Sequence, residues 1–544
     1  MRPNASAFFA NLRWLAPLIL CLAAHAQSWD VIIRHGTIID GTGRPGFLGD
    51  VAIKEGRIAS VGHVEGTARQ QLDATGCVVA PGFIDVHTHA EGVLTRPDAE
   101  NFIRMGVTTV IVGNCGASVL KVSDFFRALE QTKVSLNVAT LIGHNAVRTA
   151  VMGNTSMDPP SDEELAHMKV FVERAMKEGA VGFSTGLIYT PGKYSRIEEI
   201  IELAKVAGAY QGIYATHVRN EQDGLVASLE EAFKVGASAK IPVEISHLKI
   251  SGNLTSPQGK ETIRRLEQAR ANGLAGKVID ALASARKEGI KVSQDLYVYS
   301  AAAASLERLL PEAARGDETV KLSERLSGEA EKKRIATEMK QDLLSAGRTD
   351  FSHVMIVSAR RYKAIEGLTV PDATQKRRGT NSLDAQIDLI LEVARNGGAS
   401  IIVYEMNEQD LLPFLHLPQT MFASDSGTFQ SESEMRHPRG YGNAARVLAR
   451  YVRQEKDLPL EEAIRKMTLL GASTFHLKDR GEIRKGAWAD VVVFDPATVQ
   501  EQATFASPHV CATGFKHVFV NGVETVSNDQ YTGARAGQPL RRGE

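Results

Sequence analysis

Short apolar runs separated by turn residues occupy both ends of the chain. Near the N-terminus, the runs at 31–33 and 51–53 alternate with polar positions and with Gly and Asp, and the same pattern returns at 491–493. A period of two with this punctuation predicts β-strands. Because a long middle region separates the two ends, we predict one small β-sandwich built from segments 27–80 and 480–544.

The middle of the chain, residues 81–479, alternates strand-like apolar runs with amphipathic helical patterns such as those at 162–178 and 197–209. Repeated β-then-α units predict a parallel sheet, and eight of them predict a (β/α)₈ barrel. The predicted fold class is therefore α/β, a distorted TIM-type barrel with a β-sandwich from both termini. The eight predicted strands are residues 79–89, 108–116, 135–143, 181–189, 213–218, 243–248, 291–297 and 420–426.

One interval breaks this spacing. Residues 306–415 separate the seventh and eighth predicted strands, and they contain a charged helical stretch at 318–344 and strand-like runs at 354–358 and 400–404. A structureless loop of this length is rare in a compact domain. We therefore predict an inserted subdomain or lid before the last strand.

The first residues differ from the rest of the chain. Arg2 and Arg13 precede an apolar run at 14–24, and an Ala-His-Ala cleavage pattern ends at Ala26. This order is typical of a secretory signal peptide, and the run is too short for a comfortable membrane span. We predict a cleaved signal over 1–26 and export to the bacterial periplasm or the medium. The alternative is an uncleaved anchor.

The net charge of the chain limits the classes of binding partner that we expect. The 544 residues carry a formal net charge of -1, which provides no general attraction to nucleic acid or to an anionic membrane surface. We therefore expect neither nucleic-acid binding nor stable membrane association of the mature protein.

After signal cleavage three cysteines remain, Cys77, Cys115 and Cys511. An odd, low count argues against a disulfide framework, so we expect one thiol to have another task.

The first candidate metal-binding residues are His87 and His89, which end the first predicted barrel strand. Side chains at i and i+2 of a strand point to one face, so the two imidazoles can converge on a metal ion. Alone this spacing is a weak signal, since a strand can carry two exposed histidines. The barrel strengthens it, because active sites of this fold lie at the C-terminal strand ends. Candidate groups at later strand ends are Cys115, His144, His217, His247 and Asp425.

Such a set suits Zn²⁺, which takes nitrogen, sulfur and oxygen donors and keeps one position open in catalytic sites. By itself Cys115 would more often be a buried apolar residue, but a thiol bound to a metal is deprotonated. Asp425 has a different candidate task, because a carboxylate beside an activated water can take its proton and pass it to a leaving nitrogen. The alternative for Asp425 is a helix N-cap or a turn residue before Gly427.

Several longer motifs are more specific. They lie at residues 80–89, 113–116, 182–192, 215–221, 245–249, 424–425, 437–442 and 486–490. On these motifs the chain resembles the amidohydrolase superfamily and, within it, the N-acyl-D-amino-acid deacylases, or D-aminoacylases, over nearly the whole mature length. The pair at 87 and 89 occurs across the superfamily, whereas GNCG at 113–116 together with GFSTGLIY is much more specific to this group.

The resemblance implies a zinc site with residues in named roles. The implied ligands of one tight zinc are Cys115, His217 and His247. His87 and His89 would face a second, weaker position with Cys115 as a candidate bridge, and Asp425 would be the general acid/base.

The resemblance also implies that Lys249, Tyr297 and Arg439 grip the substrate carboxylate. Cations near a metal are poor ligands but good partners for a carboxylate. The alternative for Arg439 is an ordinary surface residue after a proline turn. The chain departs from the family pattern at Ala303, where a serine that helps hold the carboxylate would fall. This leaves the acyl-group and side-chain preferences open.

The activity implied is zinc-dependent hydrolysis of the amide of an N-acyl-D-amino acid, giving a carboxylate and a free D-amino acid. Two alternatives on the same scaffold are a metal-dependent dipeptidase for peptides with a C-terminal D-residue and a cyclic-amide hydrolase. A third is a non-catalytic periplasmic binding protein, against which the presence of Asp425 beside all the candidate ligands argues. The oligomeric state and the number of metal ions stay open.

Overall fold

The computed structural model describes residues 28–153, 157–252, 268–311, 314, 322–428 and 437–544. The predicted signal segment, 1–26, lies outside the described residues. Within the described ranges, no helix is both long enough and apolar enough to cross a membrane.

Strands predominate at both ends of the described chain, and strands and helices alternate between them. The strands are β1 (Ser28–Ile38), β2 (Phe47–Lys54), β3 (Arg57–Gly62), β4 (Thr67–Asp73), β5 (Val78–Pro81), β6 (Phe83–Asp85), β7 (Val107–Val112), β8 (Asn137–Gly143), β9 (Gly182–Gly186), β10 (Ile213–His217), β11 (Val243–Ile245), β12 (Val292–Leu296), β13 (Ala302–Ser305), β14 (Val354–Ser358), β15 (Leu368–Thr369), β16 (Ser400–Val403), β17 (Thr420–Phe422), β18 (Val491–Phe494), β19 (Phe515–Val520), β20 (Val523–Ser527) and β21 (Gln530–Tyr531). The helices are α1 (Glu100–Ile103), α2 (Val122–Thr132), α3 (His144–Met152), α4 (Asp162–Lys177), α5 (Ile197–Ala209), α6 (Leu225–Ala239), α7 (Leu274–Lys287), α8 (Leu322–Arg325), α9 (Glu329–Ser345), α10 (Val370–Arg378), α11 (Leu383–Arg395), α12 (Glu408–Leu415), α13 (Arg439–Arg446), α14 (Leu460–Met467) and α15 (Leu469–Thr474).

Eight parallel strands form the barrel sheet in the order β17–β12–β11–β10–β9–β8–β7–β6. Each predicted strand overlaps one of them. Strands β6 and β17 do not pair directly, but the segments that follow them do. The Asp425 N–H donates to the His87 carbonyl at 2.9 Å, and Thr88 pairs with Ser426 in parallel. The barrel is nearly closed, and the predicted fold class is confirmed.

Local sequence accounts for the helices that surround the barrel. Helix α4 begins where Ser161 and Glu164 form a capping box: the Ser161 hydroxyl accepts from the Glu164 N–H at 3.3 Å, and the Ser161 N–H donates to the Glu164 carboxylate at 2.7 Å. Two otherwise unpaired N–H groups are satisfied in this way, which places the helix start. Helix α5 has the bounds that its apolar period predicts, Ile197–Ala209.

The first predicted barrel strand serves two sheets. Its first part, β5, pairs with β1 and β18, whereas β6 pairs with β7 in the barrel. Gly82 lies between the two parts, and a Cβ there would come within 2.3 Å of the Thr108 hydroxyl oxygen. Only glycine allows this close approach. One continuous apolar run in the sequence is therefore divided between the barrel and the second sheet.

The second sheet combines strands from both ends of the chain. Its order is β21–β20–β19–β18–β5–β1–β2–β3, and β4 pairs with β1. The antiparallel pairing of β18 with β5 places Val491 opposite Pro81, so the C-terminal strands join the N-terminal ones directly before the chain enters the barrel. Val31, Val51 and Phe519 are among the residues of its apolar core.

A cluster of three phenylalanines connects this sheet to the barrel. Phe83 of β6 lies 6.4 Å from Phe494 of β18 and 6.2 Å from Phe515 of β19, measured between ring centroids, and all three are at most 1% exposed.

We expect Phe494→Ala to lower the free energy of unfolding by roughly 3–5 kcal/mol, because it leaves a cavity among rings that cannot close around it. Urea unfolding followed by circular dichroism measures the loss. Phe494→Leu fills most of the cavity and should cost less; equal losses would contradict the packing argument.

The inserted region forms a small antiparallel sheet with the order β13–β16–β14–β15 and its own apolar core. It begins earlier than residue 306, because β13 is its edge strand and pairs Ala303 with Ile402. An alanine run has no strand-like pattern, so the sequence did not indicate this strand. At the other end, Arg270 donates to the Asp410 carboxylate of α12 at 2.7 Å, which ties α12 to the region just before α7.

Candidate metal centre

Five strand ends bring the candidate ligands and Asp425 together at one mouth of the barrel. His87 and His89 follow β6, Cys115 follows β7, His217 ends β10, and His247 and Asp425 follow β11 and β17. Cys115, His247 and Asp425 have φ values of 54°, 36° and 49°, in the left-handed region that non-glycine residues seldom adopt. Backbone strain of this kind persists where the surrounding structure imposes it, commonly at functional sites.

The Cys115 thiol lies at the centre of three imidazoles. Its Sγ is 3.4 Å from His87 Nε2, 3.7 Å from His217 Nδ1 and 3.7 Å from His247 Nε2. All four side chains are buried. The usual Zn–S and Zn–N bond lengths in a tetrahedral site separate sulfur from nitrogen by about 3.6 Å. Each sulfur–nitrogen distance therefore fits a shared zinc-sized ion, and one donor atom each of His87, Cys115 and His247 lies within 4.8 Å of the others.

A second group of donors lies beside the first. Asp425 Oδ1 is 3.3 Å from His89 Nε2 and 3.7 Å from His87 Nε2, and one donor atom from each of the three residues lies within 4.8 Å of the others. The His89 side chain is 38% exposed, so this group faces the open mouth. His87 contacts both groups. The structure thus brings together all five predicted metal ligands and the predicted acid/base.

The charges around these groups favour their ionised forms. Burial would raise the pKa of Cys115, but the charge of His87 and hydrogen bonds from His217 and His247 hold that pKa well below its usual range. Burial would likewise raise the pKa of Asp425, but the charge of Arg439 together with the neighbouring histidines holds that pKa well below its usual range. The thiol is thus favoured as a thiolate, and Asp425 as a carboxylate, at neutral pH.

Asp295 is a member of the site that the sequence analysis missed. It lies on β12 and is 1% exposed, with Oδ2 3.1 Å from His87 Nδ1 and Oδ1 accepting the main-chain N–H of His247 at 3.0 Å. Because a carboxylate only accepts, the Asp295 contact keeps a proton on His87 Nδ1, which leaves Nε2, on the Cys115 side, as the nitrogen that would bind a metal. A charged residue within a buried strand was the available signal.

Glu221 is the second missed carboxylate, although it ends one of the quoted motifs. Its Oε1 lies 2.5 Å from Lys249 Nζ, 3.2 Å from His247 Nδ1 and 3.5 Å from His217 Nε2. Burial would raise the pKa of Glu221, but the charge of Lys249 together with His217 and His247 lowers that pKa. A buried anion therefore lies behind two of the imidazoles that face Cys115.

The three predicted carboxylate-binding residues also converge. Lys249 Nζ lies 5.9 Å and Arg439 Cζ 4.6 Å from the centre of the Tyr297 ring. Arg439 donates to Asp425 at 2.8 Å, and its buried Nε has no hydrogen-bond partner among the described residues. His437 supports this arginine by accepting the Arg439 main-chain N–H on Nδ1 at 3.0 Å. A buried donor without a protein partner at the mouth of the barrel is available to a ligand.

Two residues singled out in the sequence lie elsewhere. His144 follows its strand, but its Nε2 contacts Glu199 at 2.7 Å, and Glu199 also binds Arg148 at 2.6 Å. In the described ranges His144 belongs to none of the groups that could hold an ion. Ala303, at the position of the family's serine, is part of β13 in the inserted sheet. His144 therefore contributes no metal donor, and Ala303 has no hydroxyl with which to hold a carboxylate.

Comparison with known proteins agrees with this geometry. The profile of the amidohydrolase family matches residues 70–287 and 424–526. The chain therefore belongs to the amidohydrolase family. More particularly, it is 34% identical to a D-aminoacylase of Alcaligenes xylosoxydans xylosoxydans, over 95% of this chain and 98% of the relative. An N-acyl-D-aspartate deacylase of the same organism is 31% identical, over 96% of each chain. The resemblance inferred from the motifs is confirmed.

Solved structures extend the comparison. The N-acyl-D-glutamate deacylase of Bordetella bronchiseptica, complexed with zinc and a phosphonate inhibitor, superposes with a TM-score of 0.76 at 30% identity, covering 95% of this chain and 100% of that one. A D-aminoacylase gives a TM-score of 0.74 at 33% identity, covering 94% and 100%. A D-hydantoinase gives 0.53 at 15% identity, covering 94% and 98%, which is a likeness of fold alone.

Proposed function

We propose that this protein is an N-acyl-D-amino-acid deacylase, which hydrolyses the amide of its substrate to a carboxylate and a free D-amino acid. The observation that carries the proposal is the Cys115 sulfur 3.4–3.7 Å from three imidazole nitrogens, with Asp425 and Arg439 beside it. Relatives that share about a third of their sequence over nearly the full chain are named for deacylation of N-acyl-D-amino acids.

The metal we propose is Zn²⁺, held by Cys115, His217 and His247. A second, weaker position would be held by His87 and His89, with Asp425 beside it. The 3.7 Å distances from Cys115 Sγ to His217 and His247 support the first position. The close donor atoms of His87, His89 and Asp425 support the second, and the structure of the D-glutamate deacylase contains zinc. When bound, zinc supplies a Lewis acid that polarises the amide carbonyl and lowers the pKa of water.

Asp425 would move the proton during hydrolysis. Its Oδ1 faces His87 and His89, and its other oxygen, Oδ2, is held at 2.8 Å by Arg439. Because its pKa is held low, Asp425 is ionised before the reaction and can accept the proton of the attacking water. It can then donate that proton to the amine as it leaves.

Lys249, Tyr297 and Arg439 would hold the α-carboxylate of the substrate. Arg439 has an unused buried donor, and Lys249 lies on the same side of the mouth near the Tyr297 ring. Fixing the carboxylate at one end and the carbonyl at the other sets where the side chain of the substrate must point. The preference for D-amino acids follows from this constraint.

The other functions considered for this scaffold are less favoured. Three relatives that match over nearly the full chain, at 31–34% identity, are named D-aminoacylase, N-acyl-D-aspartate deacylase and N-acyl-D-glutamate deacylase, whereas the hydantoinases, which match at 13–15% identity, share only the fold. A binding protein would not need a carboxylate that is kept ionised and aimed at the metal position.

The test is release of acetate from matched N-acetyl-D- and N-acetyl-L-amino acids by the zinc-loaded protein. The panel includes apolar, basic and acidic side chains, because the preference among them is open. We expect turnover of at least one D-substrate and no comparable turnover of its L-enantiomer. Binding without acetate release across the whole panel would contradict the proposed function and favour a binding protein.

We also propose that the mature protein is exported after removal of residues 1–26, on the basis of the basic, apolar and small-residue order of that segment. Expression of the full chain in a bacterium, followed by fractionation and mass spectrometry of the N-terminus, tests this. A mature protein that begins at Gln27 in the periplasm or the medium is expected. An intact N-terminus in the cytoplasm would contradict it.

A further inference from the structure

Three groups with different tasks converge on one carboxylate oxygen, Oε1 of Glu221. They are the far nitrogens of two imidazoles that face Cys115 and the ammonium group of Lys249. We propose that Glu221 is a positioning residue that holds His217, His247 and Lys249 together. It thereby couples the metal ligands to the lysine that would bind the substrate carboxylate. The part that concerns substrate rests on the function proposed above, whereas the part that concerns metal does not.

The first step is the direction in which each imidazole points. His217 turns Nδ1 to the Cys115 sulfur, whereas His247 turns Nε2 to it. To bind a metal, these nitrogens must offer lone pairs, so the protons move to the opposite nitrogens. The opposite nitrogens are His217 Nε2 and His247 Nδ1, which lie 3.5 Å and 3.2 Å from the same Glu221 oxygen.

The second step is that Glu221 is the acceptor available to these protons. His217 Nε2 is buried and makes no hydrogen bond within the part of the chain that the structure describes, and the Glu221 oxygen lies 3.5 Å from it. A carboxylate that accepts from the far nitrogen of a metal-binding imidazole fixes its tautomer and orientation and strengthens it as a ligand. Here one carboxylate is placed to act on two such imidazoles, although they belong to different strands.

The third step is the position of Lys249. Its Nζ is 2.5 Å from Glu221 Oε1 and also 2.8 Å from His247 Nδ1. An ammonium group only donates, so Lys249 donates to His247 Nδ1 while that nitrogen carries the lone pair. When metal binding at Nε2 places the proton on Nδ1, both groups are donors, and the Glu221 oxygen is the acceptor that both reach. Without Glu221, Lys249 would favour the lone pair on Nδ1, which opposes metal binding at Nε2, and the metal ligand and the lysine would be disturbed together.

The main chain holds Glu221 in this place. The Ser251 N–H donates to the Glu221 carbonyl at 2.8 Å, and Ser251 pairs in turn with Met406 of the region that follows β16. The loop after β10 is thereby tied to the segment after β11 and to the inserted region. A surface ion pair could have the same Lys–Glu distance, but it would not be 8% exposed and directed at two imidazoles.

The experiment compares Glu221→Gln with wild type in two measurements. Zinc affinity, measured by competition with a chelator and without substrate, should weaken by roughly 10- to 100-fold. With the zinc-loaded protein, KM for the best N-acetyl-D-amino acid should rise about tenfold or more, because Lys249 loses its position. Zinc affinity within a factor of about 3 of wild type, below that range, would overturn the proposal.

Two further variants separate the contributions. Lys249→Met should raise KM yet leave zinc affinity close to that of wild type, because it removes only one of the three groups. Glu231→Gln is the matched control, since Glu231 is a glutamate nearby that binds Arg219 at 2.9 Å and does not contact the imidazoles. It should change neither measurement; a loss of zinc affinity equal to that of Glu221→Gln would overturn the proposal.

Folding is checked by circular dichroism, and Glu221→Asp provides a second test if the glutamine variant is unfolded. The aspartate keeps the charge but withdraws it from the imidazoles, so zinc affinity should fall between those of wild type and the glutamine variant. Wild-type affinity would overturn the proposal. If wild type hydrolysed no N-acyl-D-amino acid, the proposed function would fail, but the zinc measurement would still decide the role of Glu221.

Discussion

Asp425→Asn is expected to lower kcat for N-acyl-D-amino-acid hydrolysis by about 10²- to 10⁴-fold, the range for loss of a positioned general acid/base. Asparagine has nearly the same shape, so the contacts with Arg439 and His89 can survive in part. It can neither accept a proton from water nor return one to the leaving amine. KM should change much less than kcat, because in the proposed function the α-carboxylate is bound by Lys249, Tyr297 and Arg439.

The measurement is steady-state kinetics of wild type and variant with the same zinc content, determined for each preparation. Asp388→Asn is a suitable control, because Asp388 lies in the inserted region and its side chain is 49% exposed, and among the described residues its ion-pair contact is with Lys332 at 3.7 Å. The control should keep wild-type kinetics. Activity of Asp425→Asn within tenfold of wild type, with equal zinc, would exclude Asp425 as the acid/base.

Cys115→Ser is expected to have the second large effect, loss of the tight metal ion and with it of activity. The sulfur lies within 3.7 Å of three imidazole nitrogens, and its surroundings favour the thiolate. A serine hydroxyl is shorter and stays protonated at neutral pH, so it leaves a donor position empty. Loss of groups outside the ligand set costs about 10- to 100-fold in metal affinity, so loss of a ligand should exceed about 100-fold.

Chelator competition and metal analysis measure this effect, and thermal unfolding with and without zinc provides a second readout. Zinc should raise the unfolding temperature of wild type and have little effect on Cys115→Ser, because a bound ligand stabilises the folded state by mass action. Cys77→Ser is the matched control, since Cys77 is a partly buried free cysteine in the second sheet. Wild-type zinc affinity in Cys115→Ser would remove the thiolate from the proposed site.

The two predictions concern different parts of one arrangement. Cys115 is surrounded by imidazoles and has a buried, closed environment, whereas Asp425 lies between the exposed His89 and the buried Arg439. The Arg439 guanidinium therefore contacts the acid/base and, in the proposed function, also the substrate. A substitution at Arg439 would change binding and proton transfer together, which makes Asp425→Asn the cleaner test of the chemistry.

Much of the barrel was predictable from local pattern. The alternation of apolar runs and amphipathic stretches is a property of neighbouring residues, and it located all eight barrel strands and helices such as α5. The candidate donors could be selected because strand ends of a parallel barrel share one mouth. The division of residues 79–89 between two sheets was not predictable, because it depends on how closely Gly82 approaches Thr108.

The sequence by itself determined the class of fold and the residue types that could meet at the barrel mouth, since periodicity and strand-end position are encoded locally. Only the tertiary structure decided which nitrogen of each imidazole faces Cys115, and that Glu221 and Asp295 lie behind the imidazoles. The physical reason is that a buried carboxylate is stabilised by donors from distant strands. Its partners are therefore set by packing across the barrel and not by its neighbours in the chain.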